Sequence, residues 1–145
     1  MHPVGKVLAL YLSPVNTNQE KHPSSIEVDT NGIIGDKHYQ KNTERSVLIT
    51  STHSYQLTKD KEIHLPFGSL GENILTDFNP YSLSKGRVLH IGEVILEISQ
   101  HCTLCQHLSA IHPTLPKLLR NDRGIFAKVK KGGVIYEGDT ILLVE

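Results

Sequence analysis

Between Gly86 and Gln100 the chain alternates regularly enough to dictate extended structure. Val88, Val94, Leu96 and Ile98 are offset by Arg87, Glu93, Glu97 and Ser99 around a turn at Ile91-Gly92-Glu93. Successive side chains of a strand face opposite ways, so this pattern predicts a hairpin with one buried face. The apolar runs Lys6–Leu12, Ser25–Val28, Arg45–Thr50, Ile125–Val129, Val134–Tyr136 and Thr140–Val144 read as further short strands. Turns fall at Asn31–Asp36 and at Gly132-Gly133, where glycines permit tight backbone geometry. Residues 14 to 24 carry proline, asparagine and serine without periodicity and predict a mobile surface loop.

Helical signals are brief. Ser51 or Thr52 is suited to cap a short polar helix running to about Lys59. Leu104 to Ile111 predicts a second helix that Pro113 ends, and Leu115 to Arg120 one more turn with Pro116 in its first turn. Many short strands and little helix predict a mostly β chain built as a barrel or a sandwich. A length of 145 residues suits one domain spanning 1–145, large enough to fold without disulfide staples.

Charge and composition exclude several functions. Fifteen basic residues balance fifteen acidic ones, so no global field attracts nucleic acid or an anionic membrane, and any anion site is local. No apolar run reaches the 18 or so residues of a membrane span, and Met1-His-Pro-Val-Gly lacks the layout of a secretion signal. A cytoplasmic location is the expectation.

The two cysteines stand three positions apart, Cys102-Thr-Leu-Cys105. Such a pair cannot form a disulfide framework across the fold. Cys105 is the expected reactive group: it lies in the first turn of a predicted helix with His101 and His107 nearby, and both features favour the thiolate. A cysteine buried for packing is the plain alternative. Three chemistries fit the spacing. Zinc would recruit His101, His107 or His112, although a second ligand pair is missing. A dithiol oxidoreductase would place the motif at a helix in a βαβ layer, which this mostly β chain does not predict. A persulfide carrier, or a thiolate ligand to molybdenum, needs one exposed soft sulfur and an anion pocket. Gly35-Asp36-Lys37-His38 is a candidate for that pocket through its turn N–H groups and side chains, or else a surface Asx turn. Gly71-Glu72-Asn73 is either a turn or the source of a carboxylate and an amide, and Arg45 and Arg123 stand at strand starts as candidate anion contacts or solvated arginines.

Taken in order, Gly32-Ile-Ile-Gly35-Asp36-Lys-His38, Arg45-Ser-Val-Leu-Ile, Gly71-Glu-Asn-Ile74, Gly92-Glu-Val, Cys102-x-x-Cys105 and the run from Gly124 to Gly138-Asp139 resemble the MOSC family, the domain named for the molybdenum-cofactor sulfurase C-terminus. The resemblance spans residues 5 to 145. It implies a MOSC-like β-barrel with a few short helices, and one functional cysteine, matching Cys105, that carries sulfur or ligates molybdenum. Cys102 is then auxiliary, a resolving thiol. Gly35, Asp36, Lys37, His38, Arg45, Glu72 and Asn73 are the implied walls of a site for a molybdenum-pterin cofactor. The resemblance further implies a sulfurtransferase-like or cofactor-dependent activity, with a sulfur donor protein or a molybdoenzyme as partner. No pyridoxal phosphate is expected, since 145 residues do not host a desulfurase fold. A zinc- or anion-binding module without catalysis, and a molybdenum-dependent reductase of N-hydroxylated compounds, are the competing readings.

Overall fold

The computed structural model describes residues 1–17, 19–103 and 106–145. Its centre is a closed barrel of seven strands, formed by β1 (His2–Leu10), β4 (Val47–Ser51), β5 (Ile74–Thr76), β6 (Val88–Ile91), β7 (Val94–His101), β8 (Ile125–Lys131) and β10 (Thr140–Leu143). Around the barrel the order is β1-β10-β6-β7-β8-β4-β5. The first half of β1 pairs with β10 and the second half with β5, so one long strand closes the ring. Closure removes the free edges that would otherwise invite pairing with another chain. A separate sheet, β3-β2-β9, comprises β2 (Ser25–Asp29), β3 (Gly32–Ile33) and β9 (Gly133–Tyr136).

Alternation fills the barrel. Val47 and Ile49 of β4, Ile74 of β5, Leu89 and Ile91 of β6, Leu96 and Ile98 of β7 and Ile125 and Ala127 of β8 join one buried cluster, which also takes in Ile26, Val28, Ile33 and Ile135 of the small sheet. The small sheet therefore packs onto the barrel rather than standing apart. Its approach is close: a Cβ on Gly132 would lie 2.5 Å from the Val28 carbonyl oxygen, so only glycine lets the β8–β9 connection pass.

The other faces of β1, β4, β5 and β8 are also covered, which is why β4 and β5 are buried along their whole lengths. Ala9, Tyr11 and Leu75 pack with Tyr55 of α1 (Thr52–Asp60), Leu108 of α2 (Gln106–Ile111) and Leu115 of α3 (Leu115–Leu118). Leu48, Phe126 and Cys102 form a small cluster of their own on this outer side. Ser51 caps α1, its side chain accepting from the His53 N–H at 3.0 Å. Pro116 occupies the first turn of α3, as expected.

The mostly β barrel with few short helices agrees with expectation, but three local readings change. The hairpin register differs by one residue in its first strand. Ile91 pairs with Val94 across the two-residue turn Gly92-Glu93, so Leu89 and Ile91 point inward while Val88 is half-buried. Strand β5 has no counterpart in the sequence reading; it runs parallel to β4 after the α1 crossover. The loop of residues 14 to 24 is tied at its base. Leu12 and Lys21 exchange two backbone hydrogen bonds (3.0 and 2.7 Å), His22 stacks on Tyr11 with ring centroids 4.7 Å apart, and the His22 Nε2 meets Glu137 at 2.8 Å.

Candidate functional site

A cleft of about 580 Å³ opens where the outer faces of β4 and β8 meet the loops around residues 13–20, 36–45 and 68–73. Leu48, Phe126 and Cys102 form its apolar floor. Lys37, His38, Arg45, His107 and Arg123 bring basic groups to it, and Glu20 and Asp36 bring carboxylates. A volume in this range suits a drug- or cofactor-sized ligand.

Asp36 organises one wall. Gly35, with φ of +91°, turns the chain so that the buried Asp36 carboxylate accepts from the Ser13 N–H (2.8 Å), the His38 N–H (3.0 Å) and the His38 Nδ1 (3.2 Å). Burial pushes the Asp36 carboxyl up, but the His38 side chain and the two backbone donors outweigh it and hold it below the usual range. Nδ1 is thereby engaged, and the opposite ring nitrogen of the exposed His38 remains for a ligand. The Lys37 N–H donates to the Ser13 carbonyl at 2.8 Å, so the same turn fixes where Lys37 leaves the backbone.

Arg45 closes a short 3₁₀ turn, Thr43–Arg45, just before β4. Its guanidinium lies 5.6 Å from the centre of the Phe126 ring, and with the Gln100 amide oxygen turned toward it, Nε and Nη2 donate at 2.7 and 3.2 Å. A planar guanidinium held on an aromatic face and by an amide is pre-oriented for an anion.

Within Gly71-Glu72-Asn73, Gly71 and Asn73 line the cleft and Glu72 sits behind them. Glu72 is fully buried and does not line the cleft. Both its oxygens lie within reach of the Tyr55 hydroxyl (2.9 and 2.6 Å), and Oε2 accepts from the Gly68 N–H at 3.1 Å. Burial raises the Glu72 carboxyl above the usual range against the pull of these donors. Asn73 does line the cleft, yet its side chain bridges strands: Oδ1 accepts from the Leu48 N–H at 2.9 Å, and Nδ2 donates to the Tyr11 carbonyl at 3.3 Å. These two residues hold the wall rather than reach from it.

Glu20 enters the site without having been assigned to it, and Arg123 lines it as one of the two strand-start arginines named as candidate anion contacts or solvated arginines. Glu20 packs so closely on Gly68 that a Cβ there would fall 2.7 Å from its Oε1. Partial burial, then the nearby Glu72 carboxylate, pushes its pKa up to about 7. Arg123 is 6% exposed, contrary to a solvated strand-end arginine, and Nη2 donates to the Leu70 carbonyl at 3.3 Å. Its Nε and Nη1 are buried with no hydrogen-bond partner among the described residues. A buried guanidinium with two unpaired nitrogens is costly to the fold.

Of the cysteine pair, Cys102 is 4% exposed, packs against Leu48 and Phe126, and donates its N–H to the Gly124 carbonyl at 3.0 Å. Cys105 lies outside the described residues. Among the candidate zinc partners, His107 meets the Ser69 carbonyl at 3.0 Å and His112 meets the Thr114 hydroxyl at 2.8 Å. No group of three or more His, Cys, Asp or Glu is placed to hold a metal among the described residues. Nor is any helix among them long and apolar enough to cross a membrane.

Comparison with known proteins agrees with this architecture. The MOSC domain model matches residues 35–142. Among solved structures, the chain is similar to the YUAD protein of Bacillus subtilis at 18% identity and a TM-score of 0.83, covering 95% of this chain and 94% of that one. It is also similar to YiiM of Geobacillus stearothermophilus (17% identity, TM-score 0.76, 97% and 75% covered). YiiM of Escherichia coli is a further likeness (18% identity, TM-score 0.71, 100% and 70% covered). None of the curated proteins compared with the chain matches it.

Proposed function

The chain belongs to the MOSC domain family, and from that premise we propose that the cleft binds an anionic molybdenum-pterin cofactor, with the Cys105 thiolate as ligand to the metal. The observation that carries this reading is the convergence of Lys37, His38 and Arg45 on a cleft whose floor is the cysteine-bearing end of the β7 region. The donor set suits such a ligand. Lys37 and Arg45 offer charge to a phosphate, and the planar, pre-oriented guanidinium adds geometry to that charge. His38, braced by Asp36 through Nδ1, presents its other ring nitrogen to a bound group. Leu48, Phe126 and Cys102 keep water from the floor, which strengthens each of these contacts. The cofactor, when bound, would supply two-electron oxygen- or sulfur-transfer chemistry.

Metal and pterin analysis of protein purified from a cofactor-producing host tests this. Wild type should carry both, and Cys105→Ala should lose the metal while Lys37→Ala and Arg45→Ala lower the pterin. Wild-type protein without molybdenum or pterin would refute the proposal, and equal metal in Cys105→Ala would refute the ligand assignment.

Sulfur transfer is the second reading, favoured by the position of the Glu20 carboxyl, raised toward neutrality, on a cleft lined by Cys102. In it, Cys105 accepts a sulfane sulfur from a donor protein as a persulfide and passes it to a molybdoenzyme. Incubation with a persulfide donor should then add one sulfur to the intact mass of wild type and none to Cys105→Ala.

A further inference from the structure

The two ends of the cleft carry opposite charge. Arg45 stands at one, against Phe126 and Gln100, which face each other across β8 and β7. From there the wall steps across the strands: Phe126 lies opposite Leu48, the Leu48 N–H bonds the Asn73 side chain, and that side chain reaches the Tyr11 carbonyl. Glu20 stands at the far end, where a Cβ on Gly68 would meet its Oε1 at 2.7 Å and the Tyr11 ring at 2.9 Å. Three strand spacings separate the two ends, about 14 Å along the wall. A compact anion held by Arg45 therefore does not touch Glu20.

We propose that Glu20 selects the ligand of the cleft by accepting two N–H bonds from the aminopyrimidinone edge of a pterin, while Arg45 takes the anionic end. Glu20 thereby adds a ring-reading residue to the cofactor reading, on which its role rests. Its side chain lines the cleft on an exposed residue, and its carboxyl accepts no hydrogen bond among the described residues. The charged and titratable groups that act on it are Glu72, His22, Lys37 and Asp36. Among these the Lys37 cation is offset by the Asp36 carboxylate, so this end has no positive charge to spare for an anion. A second negative group placed there is repelled, whereas neutral N–H donors are drawn in. The chemistry of the edge matches. A carboxylate offers two acceptor oxygens side by side, and the ring N–H and exocyclic amine of an aminopyrimidinone point two donors the same way. A side chain at position 68 would displace the carboxyl, so the glycine fixes where it sits. Between the ends, Leu48 and Phe126 give the ring system an apolar surface to lie on.

Fluorescence titration of the full chain with carboxypterin, and with carboxylumazine, in which a carbonyl replaces the amine, is the test. The two probes share their ring size and anionic group, so the edge alone differs. Wild type should bind the amino compound about tenfold more tightly, the effect of roughly 1.4 kcal/mol. Glu20→Gln, which keeps the packing on Gly68, should erase that preference, and Glu20→Asp should keep part of it. Equal affinities in wild type, an undiminished preference in Glu20→Gln, or binding of neither probe would each overturn the role given to Glu20. Inorganic phosphate, followed by the arginine Nε–H NMR signal of Arg45, reports the other end separately. Saturable shifts there leave the cofactor reading standing whatever the two pteridines do, and their absence counts against that reading rather than against Glu20.

Discussion

Tyr55→Phe probes the scaffold beneath the site with a change of one atom. The Tyr55 hydroxyl, on the buried face of α1, donates to the Glu72 carboxyl and accepts from the Leu70 N–H at 3.2 Å. Removing it takes the Tyr55 donor from the fully enclosed Glu72, which keeps backbone N–H donors including that of Gly68, and takes the hydroxyl acceptor from the Leu70 N–H. A hydrogen bond to an ionisable group contributes about 1.5–3 kcal/mol, and a buried donor left unpaired costs about 1–3 kcal/mol. The cheaper burial of phenylalanine offsets part of that sum, which puts the loss at about 3 kcal/mol. For a domain of this size such a loss lowers Tm by about 6–12 °C.

Urea unfolding followed by circular dichroism gives the same quantity as a fall in midpoint of about 1.5 M at unchanged slope. The loss should grow with pH. Burial raises the Glu72 carboxyl and the Tyr55 bond lowers it, so without the hydroxyl the folded-state pKa rises further. A raised folded pKa means that stability is kept below the ordinary glutamate value and lost as pH climbs through the raised one. The cycle of Tyr55→Phe, Glu72→Gln and the double variant should show coupling above about 1 kcal/mol. A loss under about 1 kcal/mol, or strict additivity, would refute the view that this pair holds the loop carrying Leu70. The consequence reaches the site, because the Leu70 carbonyl is what Arg123 Nη2 binds.

Glu20, raised from 4.5 to about 7, should make stability decline as pH rises through that window, and Glu20→Gln should flatten the decline; a parallel pH profile for the variant would count against the placement of its carboxylate on Gly68. Gly132→Ala puts a Cβ 2.5 Å from the Val28 oxygen and 3.0 Å from the Asp29 Cα, neither of which is a flexible side-chain end. The expected cost is about 3 kcal/mol in thermal or urea unfolding, and a change within about 0.5 kcal/mol would mean the two sheets are further apart. Ser51→Ala removes the cap of α1 and should cost about 1 kcal/mol in thermal or urea unfolding. Arg45→Ala should lose stability by about 0.5–1 kcal/mol through its Phe126 contact, while Lys37→Ala should not, although both weaken cofactor retention.

The parts of this fold that sequence reveals are those whose determinants are local. The Gly86–Gln100 hairpin has its turn within it, and the short α1 begins at its own serine cap. Strand β5 fails that condition: three residues long and parallel to its neighbour, it has too few positions for a period of two to show. Its presence is dictated by β1 and β4, which need a partner to close the ring. The site divides in the same way. Asp36 and His38 are two residues apart on a glycine turn, so their meeting is written in the segment itself. Glu72 and Arg123 carry the same kinds of side chain as many solvated residues, and what separates them is burial imposed from a distance, by Tyr55 on Glu72 and by the Thr50–Tyr81 anchor under Arg123. For Arg123 the sequence did hold a trace, an arginine directly before Gly124 at the start of a strand buried from its first residue. Since a Cβ on Gly124 would come within 2.8 Å of Leu48 Cδ1, the backbone there runs against β4, and the side chain one position earlier is carried into the interior with it.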